Sequence, residues 1–313
     1  MTQHLIHIGW AKAGSSFLQE WFARHPQLHY APGGIAGFGN VLEMARTLEM
    51  PYRYFVTSAE QLACPNPYVG ELHLGLARGE PMGAYPMQTR QAEICTRLGT
   101  LFPGSRILIV TRGFRGLARS GYSQTIKNGR VTSLREHFEL RRGSPQTGVY
   151  RKRDFDYVIG LYRAAFGAEN VIVLPYELLR DDQAKFLAIL EERLGLEHAD
   201  IEIGRVNESL TPEELYWYPK ISRVVSATAS RLGDRAFRKI YSRYVGVTLR
   251  NGLRPMIRVL ARIKPSGRIT DADFPPISVD NFAGKAESLR GDPLYAPYAD
   301  DYLWTEESLR PRG

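Results

Sequence analysis

The sequence predicts an α/β fold of three layers, helices on both faces of a central parallel sheet, followed by a helical basic segment. Three observations carry this. Short apolar runs alternate with helical stretches through the first two thirds of the chain, as βαβ units do. Arg106–Thr111 is an uninterrupted β-branched run, the pattern of a strand buried on both faces of a parallel sheet. From about Tyr216 strands cease and basic residues take helical spacing.

Taken in order, His4–Ile8 reads as a strand, Gly9–Gly14 as a tight loop and Ser15–Arg24 as a helix. Tyr54–Thr57 is a second short strand. Ala92–Leu101 is helical, and the Phe-Pro-Gly at 102–104 stops it. Arg106–Thr111 follows as a buried strand, then a helix near Leu117–Asn128. Phe155–Phe166 is helical, Asn170–Leu174 is another buried strand, and Asp182–Leu194 another helix. Arg231, Arg235, Arg238 and Lys239, then Arg250, Arg254, Arg258 and Arg262, mark basic helices. The organisation expected is an α/β core over 1–215, a basic helical extension packed on it over 216–268, and an irregular or helical tail over 269–313.

The chain has 313 residues, 43% hydrophobic and 11% aromatic, enough for a sizeable core. Two cysteines, Cys64 and Cys95, exclude a disulfide framework, and neither stands at metal-ligand spacing from another cysteine or a histidine. The Met-Thr-Gln-His start lacks a cationic segment leading into a secretory apolar stretch, and no apolar run reaches the ~18 residues of a membrane span. A cytoplasmic protein is expected.

The formal charge of +8 divides unevenly. Residues 219–268 hold 13 Lys/Arg and one acidic residue, Asp234, a charge of +12. The remainder has 28 basic and 32 acidic residues, a charge of −4. This pattern speaks for a localised anionic partner and against general nucleic-acid binding.

The sharpest motif is Ile8-Gly-Trp-Ala-Lys-Ala-Gly-Ser-Ser-Phe-Leu-Gln19. A strand, a glycine-containing loop and a helix in that order form an anion site, because the helix N-terminus offers backbone N–H groups and a favourable dipole. Gly9, Gly14 and Ser16 match the spacing of a nucleotide-binding P-loop, so the fold expected is P-loop-like. Yet Ser15 stands where that loop carries lysine, and the lysine sits earlier, at Lys12. The strand ending Thr111-Arg112 offers no aspartate for Mg²⁺. The loop is built for a phosphate without a metal ion.

This segment resembles the 5′-phosphosulfate loop of the sulfotransferases, Pro-Lys-x-Gly-[Ser/Thr]-[Ser/Thr]-x-Leu-Gln, with Ala11 in place of the proline. Arg112 at a strand end and Ser120 eight residues later resemble the family's 3′-phosphate signature, with Gly113-Phe114 replacing its usual Asn-Pro. Tyr54–Tyr68, Val171–Asp182 and Val206–Ser209 resemble further family segments, so the likeness covers about residues 4–210. It implies sulfuryl transfer from 3′-phosphoadenosine-5′-phosphosulfate (PAPS), leaving adenosine 3′,5′-bisphosphate, with no metal. It implies Lys12 as the catalytic cation. Lys12, Ala13, Gly14, Ser15, Ser16 and Phe17 would hold the 5′-phosphate, and Arg112 and Ser120 the 3′-phosphate. Arg115 and Arg119 read as solvent or salt-bridge residues.

The general base implied is Glu60, just beyond the second strand; it reads equally as an exposed or capping carboxylate, and Glu71, His73 and Glu80 are rivals. Ser58 could orient the base or the sulfate. Tyr176 reads as the adenine-stacking residue or as a core-edge aromatic. His7 reads as a core or sheet-end histidine, His137 as a surface residue, and Trp21 and Phe22 as core. The acceptor implied is a carbohydrate or glycolipid hydroxyl, or an amine. The basic segment, with Arg254, Arg258 and Arg262 one turn apart and Pro255 at the start, reads either as a solvated face or as a surface for an anionic glycan or the inner membrane. Two other functions fit parts of the pattern: a P-loop nucleotide-dependent kinase, and a non-catalytic polyanion or membrane adaptor.

Overall fold

The computed structural model describes residues 3–10, 12–30, 32, 52–63, 65, 87–137, 153–204, 210–270, 273 and 282–304. These fall into two compact units: 1–114 with 145–207 and 278–313, and 115–144 with 208–277.

The first unit holds a five-stranded, all-parallel sheet of β1 (Gln3–His7), β2 (Leu28–Tyr30), β3 (Tyr54–Ser58), β4 (Arg106–Thr111) and β5 (Val171–Pro175). Their spatial order is β2-β3-β1-β4-β5. Every residue of β3 and β5 is buried, and all but the first of β1 and β4. That is why these strands read as continuous apolar runs. The helices of this unit are α1 (Ser15–Arg24), α2 (Met87–Leu101), α4 (Phe155–Phe166), α5 (Tyr176–Asp181), α6 (Gln183–Leu194) and the short α10 (Ala299–Tyr302); α3 (Phe114–Lys127) begins here and runs into the second unit.

Two helices of this unit start at a capping side chain. Asp154 caps α4 by accepting from Tyr157 N, and Asp182 caps α6 by accepting from Lys185 N. Trp21 and Phe22 are fully buried on α1, as expected. The tail does more than cover the sheet. Phe282, Tyr295, Tyr302 and Trp304 are buried. The Phe282 ring lies 4.7 Å from Phe114, which itself stacks on Phe155 at 5.1 Å.

His4 and His7 lie within this core. Their Nε2 and Nδ1 atoms share hydrogen bonds with Thr57 Oγ1 and Ser58 Oγ, both 2.8 Å. Burial pushes their pKa values down to about 4 and about 3. Above pH 6.5 both rings are neutral whether the chain is folded or not, and the stability they permit is fully present. Below it, the unfolded chain binds protons that the folded chain refuses until about pH 4 and about pH 3. Each pH unit in that window then costs about 1.4 kcal/mol per histidine. Urea midpoints should fall steeply from about pH 6.5 to about pH 4; a flat profile refutes neutral burial.

The second unit is helical among its described residues. It holds the rest of α3, then α7 (Pro212–Ser230), α8 (Asp234–Arg243), a π-helical stretch (Tyr244–Gly252) and α9 (Arg254–Ile263). Pro255 stands at the start of α9, as the sequence indicates. Ser222 Oγ meets Tyr244 OH at 2.8 Å, and Ser123 Oγ accepts from Leu210 N at 3.2 Å. His137 departs from expectation. It is buried, its ring edge-on to Tyr122 at 5.2 Å, because Leu134 and His137, three apart on one turn, face inward together.

Candidate active site

All five strands are parallel, so their carboxyl ends share one edge. β1 lies between β3 and β4, and the chain leaves β1 toward β2 and β4 toward β5, on opposite sides. Ligands of open α/β sheets bind at such a switch point. The loop after β1 and the residues after β4 stand there.

The loop is shaped by two close approaches. A Cβ on Gly9 would lie 2.5 Å from His7 Nε2 and 3.1 Å from Ser15 Oγ, so only glycine lets the chain pass over the buried histidine. Gly14 has φ +84° and a Cβ there would meet Leu179 Cδ2 at 2.8 Å; both facts require glycine. Lys12 has φ +73°, the one non-glycine residue with positive φ among the described residues. That left-handed conformation disfavours a lysine, and it turns the chain into α1. Ala13 N donates to Trp10 O at 3.1 Å and closes the turn.

Gly14 caps α1 without a side-chain acceptor, and no acidic residue stands in the first turn. The first N–H groups of α1 therefore face the loop with the positive end of the helix dipole. Ser15 is buried and its Oγ lacks a hydrogen-bond partner among the described residues. Ser16 is exposed and Phe17 half-buried.

Arg112 follows β4. Its Nη1 donates to Lys12 O at 2.5 Å, and its guanidinium carbon stands 4.4 Å from the centre of the Tyr176 ring. Burial lowers the Arg112 pKa, against the opposing influence of Tyr176 and Glu177, and among the described residues its Nε has no hydrogen-bond partner. Tyr176 opens α5 directly after β5 and also borders Gly14, where a Cβ would lie 3.2 Å from Tyr176 Cδ2. The structure thus brings together Lys12, Gly14, Arg112 and Tyr176, four residues singled out in the sequence.

Others are placed separately. Glu60 is exposed and opens the 3₁₀ turn Glu60–Leu62 at the carboxyl end of β3, on the same sheet edge as Lys12. Ser58 ends β3, where it bonds His7 and accepts from Gln19 Nε2 at 3.3 Å. Ser120 is buried on α3 in the second unit. Glu71, His73, Glu80, Ala11 and Val206–Ser209 lie outside the described residues. Among the described residues no group of three or more His, Cys, Asp or Glu side chains stands as a metal site, and no helix is long and apolar enough to cross a membrane.

One network escaped the sequence reading. Glu177 is buried behind Arg112; Oε1 accepts from Gly113 N at 3.1 Å and Oε2 from Tyr302 OH at 2.6 Å. Tyr302 and Tyr295 both bond Thr111 Oγ1, at 3.2 and 2.7 Å. Burial raises the Glu177 pKa; the bonds from Tyr302 and Gly113 and the charge of Arg112 oppose it. This buried carboxylate and its phenols fix the backbone that aims Arg112. Its one signal in the sequence was a glutamate two residues past a buried strand.

No protein-family model and no curated protein matches the chain. Among solved structures it is similar to a sulfotransferase from Alicyclobacillus acidocaldarius, 18% identical with a TM-score of 0.44 over 76% of this chain and 99% of that one. It is also similar to mouse sulfotransferase SULT7A1 complexed with PAP, 13% identical with a TM-score of 0.38 over 85% of this chain and 82% of that one.

Proposed function

We propose that the chain transfers a sulfuryl group from PAPS to a hydroxyl, or an amine, of a carbohydrate or glycolipid acceptor. The observation that carries the reading is the 2.5 Å bond from Arg112 to the Lys12 carbonyl. It joins the two motif cations at the sheet's switch point, beside an uncapped helix N-terminus.

The residues present fit the donor. Beside the N-terminus of α1, Ser15 Oγ and Arg112 Nε have no hydrogen-bond partner among the described residues and are donors with bonds left to give. Lys12 and the N–H groups of Gly14, Ser15 and Ser16 would hold the 5′-phosphate, and Arg112 the 3′-phosphate. Bound there, the donor supplies the sulfuryl group and a bisphosphate leaving group. An acceptor oxygen forms the new bond to sulfur as the bridging sulfur–oxygen bond breaks, and Glu60 takes the acceptor's proton. Lys12 neutralises the charge that grows on the bridging oxygen. Positioning and electrostatics do most of the work in such a displacement. Tyr176 lies against the guanidinium of Arg112 and would stack on adenine.

Retention on immobilised adenosine 3′,5′-bisphosphate, undiminished by EDTA, is the expected result. A mass-spectrometric screen of glycan and glycolipid acceptors should then find a gain of one SO₃. No bisphosphate binding at millimolar concentration removes the proposal, and Mg²⁺-dependent ATP turnover would replace it with a kinase. Bisphosphate binding with no acceptor sulfated, and with Glu60→Gln silent, would favour an adaptor.

The proposed location is cytoplasmic, with peripheral contact at an anionic membrane through residues 219–268. On α9, Met256, Val259 and Ile263 share a face and are 40, 54 and 75% exposed within a segment of charge +12. An apolar stripe amid arginines suits an anionic interface. Phosphatidylserine vesicles should co-sediment the protein at low salt, and the double variant Val259→Ser/Ile263→Ser should remain in the supernatant. Equal sedimentation of both proteins refutes the contact.

A further inference from the structure

The opposite face of α9 lines a pocket of about 440 Å³ within the second unit. Helical spacing puts Arg254, Arg258 and Arg262 in one row on that face, about 6 Å apart per turn. Ile257 and the small Ala261 line the pocket on the same helix. The far wall is the start of α7, with Thr211, Glu213 and Glu214.

The charges in this pocket are not equivalent. Glu214 is buried and fully engaged. Its Oε1 accepts from Arg254 Nε at 3.1 Å and Tyr218 OH at 3.0 Å, and its Oε2 accepts from Thr211 N at 2.8 Å. Arg254 is therefore neutralised in place. The N-terminus of α7 is closed by a capping box of Thr211 and Glu214, so it has little to offer an anion. Arg258 and Arg262 differ: among the described residues neither has an ion-pair or hydrogen-bond partner. Two adjacent guanidiniums offer forked donors to a tetrahedral oxyanion. Glu213 supplies a carboxylate acceptor across the pocket, which suits sugar hydroxyls and repels a second anion. The Thr211 Oγ, which accepts from Glu214 N at 3.2 Å, keeps its own O–H to donate.

We infer that this pocket binds a sugar carrying one sulfate or phosphate ester, the ester on Arg258 and Arg262 and the ring hydroxyls toward Glu213 and Thr211. The volume suits a hexose ester and lies in the range of small-molecule sites. The inference stands on the second unit alone and does not depend on the donor site of the first.

Calorimetric titration of the full chain with glucose 6-phosphate, glucose 6-sulfate, glucose and inorganic phosphate tests it. At least one ester should bind more tightly than glucose and inorganic phosphate, and the two ester arms decide which is preferred. Arg258→Ala and Arg262→Ala should each weaken that ester about tenfold, the loss of one charge-assisted contact. Arg258→Lys should recover part of it. Glu213→Gln should weaken the ester but leave inorganic phosphate unchanged or improved. Unchanged melting temperatures would show that these exposed substitutions leave the fold intact. Inorganic phosphate binding as tightly as both esters, or ester binding indifferent to both arginines, overturns the inference. So does failure of both esters to bind, including the case where only anionic vesicles bind through Arg258 and Arg262.

Discussion

Lys12→Ala should lower turnover by about 10²–10³-fold or more, the usual loss when one preorganised electrostatic group is removed from a transition state. Affinity for adenosine 3′,5′-bisphosphate should fall far less, because the N–H groups of α1 and Arg112 remain. On the proposed chemistry the charge Lys12 answers grows as the sulfur–oxygen bond breaks, so its loss should fall on kcat more than on KM. The backbone makes a clean control possible. Lys12 has φ +73°, and alanine there carries the same steric cost. Lys12→Gly instead relieves ~1–2 kcal/mol of left-handed strain, offset by ~0.5–1 kcal/mol of extra chain entropy. Stability should therefore hold or rise in the glycine variant while turnover is lost in both. Single-turnover kinetics with saturating donor, beside urea denaturation, checks this. Turnover in Lys12→Gly within a few-fold of the parent protein would remove Lys12 from the chemistry.

The parts of the fold legible in the sequence are those whose pattern is local. Arg106–Thr111 and Val171–Pro175 announce themselves because burial on both faces leaves no polar alternation. β2 does not, since Leu28–Tyr30 is three residues long and gives no pattern. α2 reaches back to Met87, beyond the expected Ala92, and its Gln91 is buried and donates to Ala63 O at 2.6 Å. A polar residue satisfied by a distant carbonyl looks exposed in a sequence. The same reason hides the support of the site. Lys12 and Arg112 are legible through their motifs at two strand ends. Glu177 and Tyr302 are 125 residues apart, and Thr111 and Tyr295 184 apart. No spacing rule links such pairs; only the closure of the tail onto the sheet brings them together. His137 fails for a related reason: its burial depends on Tyr122, on another helix.

Arg112→Ala should raise the dissociation constant of adenosine 3′,5′-bisphosphate by about 10–100-fold, the range for a lost hydrogen bond to a charged group. Two contacts and one unused donor make this position more than a surface cation. The guanidinium holds the Lys12 carbonyl at 2.5 Å, lies 4.4 Å from the Tyr176 ring centre, and carries a buried Nε with a bond left to give. Arg112→Lys should recover little, since an ammonium is a point donor that cannot cover the carbonyl, the ring and a phosphate together. The variant should also disturb Glu177. Burial already raises that carboxyl's pKa and Arg112 opposes the rise. Without the cation the pKa climbs further, and ionised Glu177 destabilises the folded chain as pH rises through the unfolded value. The stability deficit of Arg112→Ala should therefore be small at about pH 4 and grow toward neutrality, while Arg112→Ala/Glu177→Gln should lose that pH dependence. Because Arg112 fixes the loop as well as the ligand, its loss should couple to Lys12. A double-mutant cycle of Lys12→Ala and Arg112→Ala, read in kcat/KM, should give a coupling of about 0.5–3 kcal/mol. Strict additivity would mean that the bond between the two residues plays no part in placing the lysine.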